Sequence, residues 1–213
     1  MQISGEIESD FSQPPLKFEH LDANPISQFK QWFQQACDYN YPMPNAMSLA
    51  TAFADGRPTV RTVLLKQYDE KGFVFFTNYQ SSKAQQINEN PRASLLFPWV
   101  SLGRQIIISG TVEKISTTES LQYFLSRPRG SQLGAWASAQ SSIISSRAVL
   151  ESALAQIKRR FAEGEIPLPD FWGGYRVCPD SIEFWQNRQD RLHDRFLFQK
   201  QSVGHWKINR LTP

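Results

Sequence analysis

A-M-S-L-A-T-A-F-A-D-G-R-P-T-V-R-T-V-L-L-K-Q-Y-D-E-K-G-F-V-F-F-T (residues 46–77) sets the architecture of this chain. Ala46 to Ala54 is small and apolar, and Asp55-Gly56-Arg57-Pro58 is a turn. Thr59 to Gln67 is β-branched and alternates, as a strand with one face buried should. Asp69 to Gly72 turns the chain again, and Phe73 to Thr77 follows as a buried strand. Two hairpins in succession predict an antiparallel meander.

Working outward, Asn24-Pro25 is a helix start, with Asn as the cap and Pro at the first helical position. Ile26, Phe29, Phe33 and Cys37 then share a helical face, with Trp32 and Ala36 beside it, so a helix is expected to about residue 39. Downstream, Ser82–Asn90 reads as a short helix closed by Pro91, and Arg92–Val100 and Arg104–Ile115 as strands. Ser116-Thr-Thr-Glu119 has capping-box spacing. The helix it opens should end near Arg127, because Pro128 disfavours helical geometry in the residue before it. Ser131–Gln140 takes no assignment, Arg147–Glu163 is strongly helical, and Pro167–Gly174 is a Pro/Gly-rich aromatic loop. Strands over about 174–178, 181–187, 191–199 and 203–209 complete the chain. Many short antiparallel strands with inserted helices predict a mainly β fold, a barrel with helical additions. Residues 1–23 are polar and read as a flexible arm; residues 24–213 form one domain.

Composition narrows the function. The 213 residues are 40% hydrophobic and 20% charged, as in a soluble globular protein. A net charge of +3 is too small to imply nucleic acid, but it suits small anionic ligands. Aromatics reach 13%, enough for an aromatic core or a planar-ligand site. Cys37 and Cys178 are far apart, without metal-type spacing, and read as free thiols in a reducing compartment. The N-terminus lacks the apolar run of a secretory signal, and no segment is apolar for long enough to span a bilayer, so a cytoplasmic location is expected. No dinucleotide fingerprint, P-loop or nucleophile elbow is present.

Candidate site residues cluster in a few stretches. In I-E-F-W-Q-N-R-Q-D-R-L-H-D-R (182–195) an apolar strand breaks at a polar turn and resumes. Strand alternation would put Arg191, His193 and Arg195 on one face, with Leu192, Asp194, Phe196 and Phe198 on the other. Two guanidinium groups and an imidazole among aromatic residues suit an anionic ligand, although a charged edge strand has the same pattern. Arg61 and Lys66, five apart, point to opposite faces of a regular strand unless Lys66 lies at its end. Thr77 to Lys83 leads from a strand into a helix and could cradle a phosphate. Tyr123 and Arg127 share a helix face with Ser131 four residues on; phenol, guanidinium and hydroxyl together suit a phosphate monoester. Alone, Arg61 and Lys66 read as surface cations flanking a buried strand, Thr77 to Lys83 is as readily an ordinary helix cap, and the plain reading of Tyr123 and Arg127 is one amphipathic face with a surface Arg. Gln140-Ser141 is too short to be specific, and Trp185 alone reads as core.

Taken together the motifs resemble those of the pyridoxine/pyridoxamine 5′-phosphate oxidase family. The resemblance rests on E-F-W-Q-N-R-Q-D-R-L-H-D-R (183–195), R-T-V-L-L-K (61–66), F-F-T-N (75–78), F-P-W (97–99), R-Q (104–105), S-R-P-R-G-S-Q-L-G-A-W (126–136), P-L-P-D-F-W-G-G (167–174) and W-K-I-N-R-L-T-P (206–213), in the family's order. It implies an FMN-binding split β-barrel, antiparallel and homodimeric, with FMN at the subunit interface. Arg61, Lys66, Thr77, Lys83 and Gln105 would hold FMN; Gln140, Ser141, Trp185 and Arg195 would complete that site, some from the partner subunit. Lys66, Tyr123, Arg127 and Ser131 would bind the substrate phosphate, and Arg191 and His193 would be the catalytic pair against the substrate ring. The implied reaction is oxidation of pyridoxine 5′-phosphate and pyridoxamine 5′-phosphate to pyridoxal 5′-phosphate. Dioxygen is reduced to hydrogen peroxide, and the amine substrate yields ammonia. Another split-barrel flavin oxidoreductase, or a non-catalytic FMN- or pyridoxal-phosphate-binding protein, would share part of this pattern. Ser82 departs from the family's usual Arg, and the N-terminal arm lacks its Arg-x-x-Tyr segment.

Overall fold

The structure, a computed structural model, describes residues 14–202 and 204–213. In chain order its elements are α1 (Pro25–Asp38), β1 (Ala46–Ala52), β2 (Pro58–Leu64), β3 (Gln67–Asp69), β4 (Gly72–Asn78), α2 (Ser82–Glu89), β5 (Arg92–Trp99) and β6 (Arg104–Lys114). Then come α3 (Thr117–Ser126), α4 (Arg129–Ala137), α5 (Arg147–Arg160), β7 (Trp172–Gln186), β8 (Asp194–Ser202) and β9 (His205–Arg210).

The strands form one antiparallel nine-stranded sheet in the order β2-β1-β5-β6-β7-β4-β3, with β8 and β9 added beside β7. Its first and last strands, β2 and β3, are joined by Leu65 and Lys66 alone. So short a link forces the sheet to curl until its ends meet. Two backbone bonds hold this seam: Leu65 N donates to Asn45 O at 2.8 Å and Lys66 N to Val74 O at 2.9 Å. Lys66 thus lies beyond the end of β2, so the alternation that would set it opposite Arg61 does not apply to it.

Inward-facing residues of β1, β4, β5, β6, β7 and β8 fill the barrel, among them Leu49, Phe73, Phe97, Ile106, Phe184 and Phe196. α1 covers this core. Asn24 Oδ1 caps it, accepting from Ile26 N at 2.8 Å and Ser27 N at 3.4 Å. The fully buried Phe29 ring meets Phe73 and Phe97 edge-on at 4.9 and 5.1 Å. The buried stripe runs through Ile26, Phe29, Trp32 and Ala36, leaving Phe33 and Cys37 at its margin. α3 and α4 bury a second, smaller core outside the barrel around Phe124, Leu133, Ile166 and Trp172. The Ser116–Glu119 capping box opens α3, and Arg127 leaves helical geometry (φ −77°, ψ 149°) ahead of Pro128. α4 occupies much of the unassigned stretch 131–140.

Three expectations need correction. β7 is one strand of 15 residues, not a loop followed by two strands. Pro179 and Asp180 read as a break, but they form a bulge against Ser109 and Gly110 of β6 and leave the strand continuous. The strand expected over 191–199 begins only at Asp194. Gln189–Arg191 is a 3₁₀ turn with Asp190 and Arg191 at φ 54° and 58°, so strand alternation does not place Arg191 or His193. Leu192 is 69% exposed rather than core. Finally, the arm expected over residues 1–23 divides. Residues 1–13 lie outside the described residues. Beyond them Leu16 is buried, with its N–H donating to Asp194 Oδ2 at 3.1 Å, and Pro14 O accepts from Gln186 Nε2 at 2.7 Å. One apolar side chain and two backbone groups dock this segment, which its polar composition concealed.

Candidate functional site

A cavity of about 960 Å³ opens where β2, β4, α2, α3 and α4 meet. Nine of the residues expected at a site line it: Arg61, Lys66, Thr77, Lys83, Tyr123, Arg127, Ser131, Gln140 and Ser141. Four are cations, and no Asp or Glu is among the lining residues. The volume is at the upper end of the roughly 300–1,000 Å³ usual for ligand pockets.

One wall is polar. Lys83, in the first turn of α2, donates from Nζ to Thr77 Oγ1 and Ser81 Oγ, both at 3.2 Å, and to Gln140 Oε1 at 3.1 Å. Thr77 Oγ1 donates to the same Gln140 oxygen at 2.9 Å. Ser82 N donates to Ser141 Oγ at 3.3 Å, and Asn78 Nδ2 to Ser138 O at 3.2 Å. These bonds dock the segment after α4 onto the N-terminus of α2, with Ser141 in the left-handed region at φ 74°. Burial, aided by the nearby charge of Arg61, lowers the Lys83 pKa to about 8. Burial likewise lowers that of Arg61. Two neighbouring cations, with no carboxylate paired to them among the described residues, suit an anion.

The opposite wall is aromatic. The Phe76, Tyr123 and Trp172 rings form a near-parallel cluster, with centroids 3.9 Å (Phe76–Tyr123), 5.4 Å (Phe76–Trp172) and 6.2 Å (Tyr123–Trp172) apart. Arg127 lies over Trp172 at 4.6 Å, and burial lowers its pKa. Its Nη1 is buried and makes no hydrogen bond. A desolvated guanidinium nitrogen without a partner is costly unless a ligand oxygen meets it. These observations fit a phosphorylated ligand with a planar ring. Sequence reasoning missed Phe76 and Trp172. The run Phe73–Phe76 read as uniformly buried, although the strand period turns Phe76 away from Phe75, and Trp172 stood in an expected loop.

The remaining expected residues lie elsewhere in the chain. Pro98, Gln105, Trp185 and Arg195 are cross-strand partners in a row over β5, β6, β7 and β8. Gln105 and Trp185 line a hollow of about 260 Å³ that shares no residue with the first cavity. Arg195 Nε donates to Glu183 Oε1 at 2.8 Å, which raises the Arg195 pKa, and Nη1 donates to Thr212 O at 3.0 Å. The His193 ring is 4.6 Å from that of Trp185, and its Nδ1 accepts from Arg188 N at 3.2 Å. Burial and the charges of Arg191 and Arg195 lower its pKa, which favours the neutral imidazole. One chain therefore carries the expected residues in two separate groups, a cation-lined cavity and a flat row beside His193.

Comparison with known proteins covers both groups. A family model described as pyridoxamine 5′-phosphate oxidase matches residues 33–161, which hold every cavity residue but Trp172, together with Pro98 and Gln105 of the row. Another, described as the pyridoxine 5′-phosphate oxidase C-terminal dimerisation region, matches residues 172–213, which hold Trp172, Trp185 and Arg195. The pyridoxine/pyridoxamine 5′-phosphate oxidase of Aliarcobacter butzleri (strain RM4018) is 59% identical over 198 residues, 93% of each chain. That of Crocosphaera subtropica (strain ATCC 51142 / BH68) is 58% identical, over 97% of this chain and 98% of its own. Among solved structures, PhzG from Burkholderia lata 383 in complex with tetrahydrophenazine-1-carboxylic acid superposes with a TM-score of 0.86 at 30% identity, covering 92% of this chain and 95% of that one. A pyridoxamine 5′-phosphate oxidase-related, FMN-binding protein from Nostoc punctiforme PCC 73102 shares the fold, with a TM-score of 0.72 at 16% identity over 91% of this chain and 99% of its own. With both models matched in order and more than half of the residues identical along nearly the whole chain, this chain belongs to the pyridoxine/pyridoxamine 5′-phosphate oxidase family.

Proposed function

We propose that this protein oxidises pyridoxine 5′-phosphate and pyridoxamine 5′-phosphate to pyridoxal 5′-phosphate, using FMN and passing the electrons to dioxygen. Hydrogen peroxide is the second product, and the amine substrate also releases ammonia. The observation that carries this reading is the cation-lined cavity with its aromatic wall and the unpartnered Nη1 of Arg127.

FMN supplies the two-electron acceptor; the residues supply position and field. Arg61 and Lys83, with Thr77 and the docked Gln140 and Ser141, hold the FMN phosphate and ring polar atoms. Tyr123, Arg127 and Ser131 hold the substrate phosphate, and Lys66, at the barrel seam, serves both ligands. Anchoring the phosphate presents the substrate's C4′ carbon to the flavin, which replaces an encounter in solution by a fixed geometry. Arg191 clamps the substrate ring, and His193 orients the C4′ substituent through its Nε2, since Nδ1 is engaged by Arg188 N. Gln105, Trp185 and Arg195 face the flavin from the partner subunit, so two chains in a homodimer make each complete site.

Ser82 stands where the family usually has Arg, so one phosphate cation is missing here. A second reading, a flavin oxidoreductase acting on an unphosphorylated ring, is favoured by the likeness to PhzG but leaves Tyr123, Arg127 and Ser131 without a role. Aerobic turnover of pyridoxine 5′-phosphate with added FMN decides between them. Pyridoxal 5′-phosphate and peroxide are expected in equal amounts; FMN binding without either product would overturn the oxidase assignment.

A further inference from the structure

We propose that Gln86 is a positioning residue for the flavin phosphate, acting through Arg61. The proposal rests on the reading of the cavity as the FMN site.

Gln86 is wholly buried on α2 and does not line the cavity. Its Oε1 gathers three donors from two strands: Thr51 Oγ1 at 2.5 Å, Thr59 Oγ1 at 2.8 Å and Arg61 Nη2 at 3.2 Å. The same hydroxyls accept from Arg61, Thr51 from Nη1 at 2.5 Å and Thr59 from Nη2. Leu49 O takes a further bond from Nη1 at 3.1 Å. The guanidinium is thus clamped at both terminal nitrogens by a small network with Gln86 at its centre. Gln86 also lies one turn along α2 from Lys83, so one helix carries Lys83 and the residue that holds Arg61.

Two features separate this network from ordinary packing. First, the Gln86 amide nitrogen is buried and makes no hydrogen bond, which opposes folding. An apolar side chain would avoid that penalty but would leave the Thr51 and Thr59 hydroxyls and Arg61 Nη2 without this acceptor. Second, the clamp is neutral. A carboxylate at this position would hold the guanidinium equally well but would cancel its charge, and a bound phosphate would then meet an ion pair instead of a free cation. A neutral amide fixes the geometry of Arg61 and leaves its full charge to the ligand. The lowered basicity of Lys83, to which Arg61 contributes, shows that this charge is felt across the site.

The test compares FMN with riboflavin, which lacks the phosphate, in wild-type protein, Gln86→Leu and Gln86→Glu. Dissociation constants come from quenching of flavin fluorescence. Gln86→Leu should weaken FMN on the order of tenfold, with riboflavin unchanged and kcat at saturating FMN retained. Gln86→Glu keeps the shape and the acceptor, so it remains informative even where the leucine variant does not fold. It should show the same selective loss of FMN. Equal loss of both flavins would make Gln86 structural only, and unchanged FMN affinity in Gln86→Glu would remove the charge argument; either overturns the proposal. Wild-type protein that does not prefer FMN to riboflavin would instead reject the cavity as the phosphate site, and the role of Gln86 with it.

Discussion

Arg127 is poised for a ligand rather than for the fold, because one of its nitrogens is buried without a partner. Arg127→Ala should raise KM for pyridoxine 5′-phosphate about 10- to 100-fold, the worth of one charge-assisted hydrogen bond, with a smaller change in kcat. An unchanged KM would detach Arg127 from the phosphate. Lys83 gives a pH-dependent expectation. With its pKa at about 8 against an ordinary 10.5, the folded, ligand-free chain binds fewer protons than the unfolded chain between those values. Stability then rises with pH across that window, and below it the cost of the buried charge is carried in full. A bound phosphate favours the charged amine, so FMN binding should take up protons at about pH 8.5. Calorimetry in two buffers of different ionisation enthalpy would measure this, and the uptake should vanish in Lys83→Met. Part of this site was legible in the sequence: the cations and hydroxyls at 61–66, 77–83 and 123–131 offered themselves as candidates, each ambiguous alone until the family's motif order joined them. Phe76, Trp172 and Gln86 did not, because apolar and neutral side chains look the same whether they line a site or fill a core.

Among the elements, β7 organises the molecule. Its first half pairs with β4, its second half with β8, and its other edge with β6. It therefore connects the aromatic wall at Trp172 to the flat row at Trp185. Alternating apolar residues made the surrounding strands readable. Continuity through Pro179 was not readable, because a proline in a bulge and a proline in a loop look alike in one dimension. The bulge itself depends on Gly110, where a Cβ atom would lie 2.0 Å from Cys178 O. That contact is with backbone and cannot be relieved by a rotamer change. Gly110→Ala should cost about 1–3 kcal/mol or more, and each kcal/mol lowers Tm by about 2–4 °C in a domain of this size. Thermal unfolding of the two proteins measures it, and an unchanged Tm would mean that β6 and β7 part readily at the bulge. The turn at 189–193 was misread for a related reason. Hydrophobic alternation continues through Leu192, while the left-handed backbone at Asp190 and Arg191 turns the chain before the strand begins.

At the scale of the whole molecule, the proposed site draws on two separate groups of residues, and a C-terminal dimerisation region matches this chain. The cavity and the row of Gln105, Trp185 and Arg195 share no lining residue, yet both consist of residues suited to one flavin. If each complete site takes its cavity from one subunit and its row from the other, two impaired variants, assayed at substrate well below the wild-type KM, should rescue each other. Arg127→Ala damages only the cavity, and Arg195→Ala damages only the row. In a mixed dimer of the two, one site collects both substitutions and the other collects neither. Random reassociation makes half of the dimers mixed, each with one intact site, so roughly a quarter of wild-type activity should return. A site built wholly within one chain gives the opposite result, because every site in the mixture then carries one substitution or the other. Refolding the variants separately and together, and comparing turnover of pyridoxine 5′-phosphate, distinguishes these arrangements, and failure to recover activity in verified mixed dimers would confine the site to a single subunit.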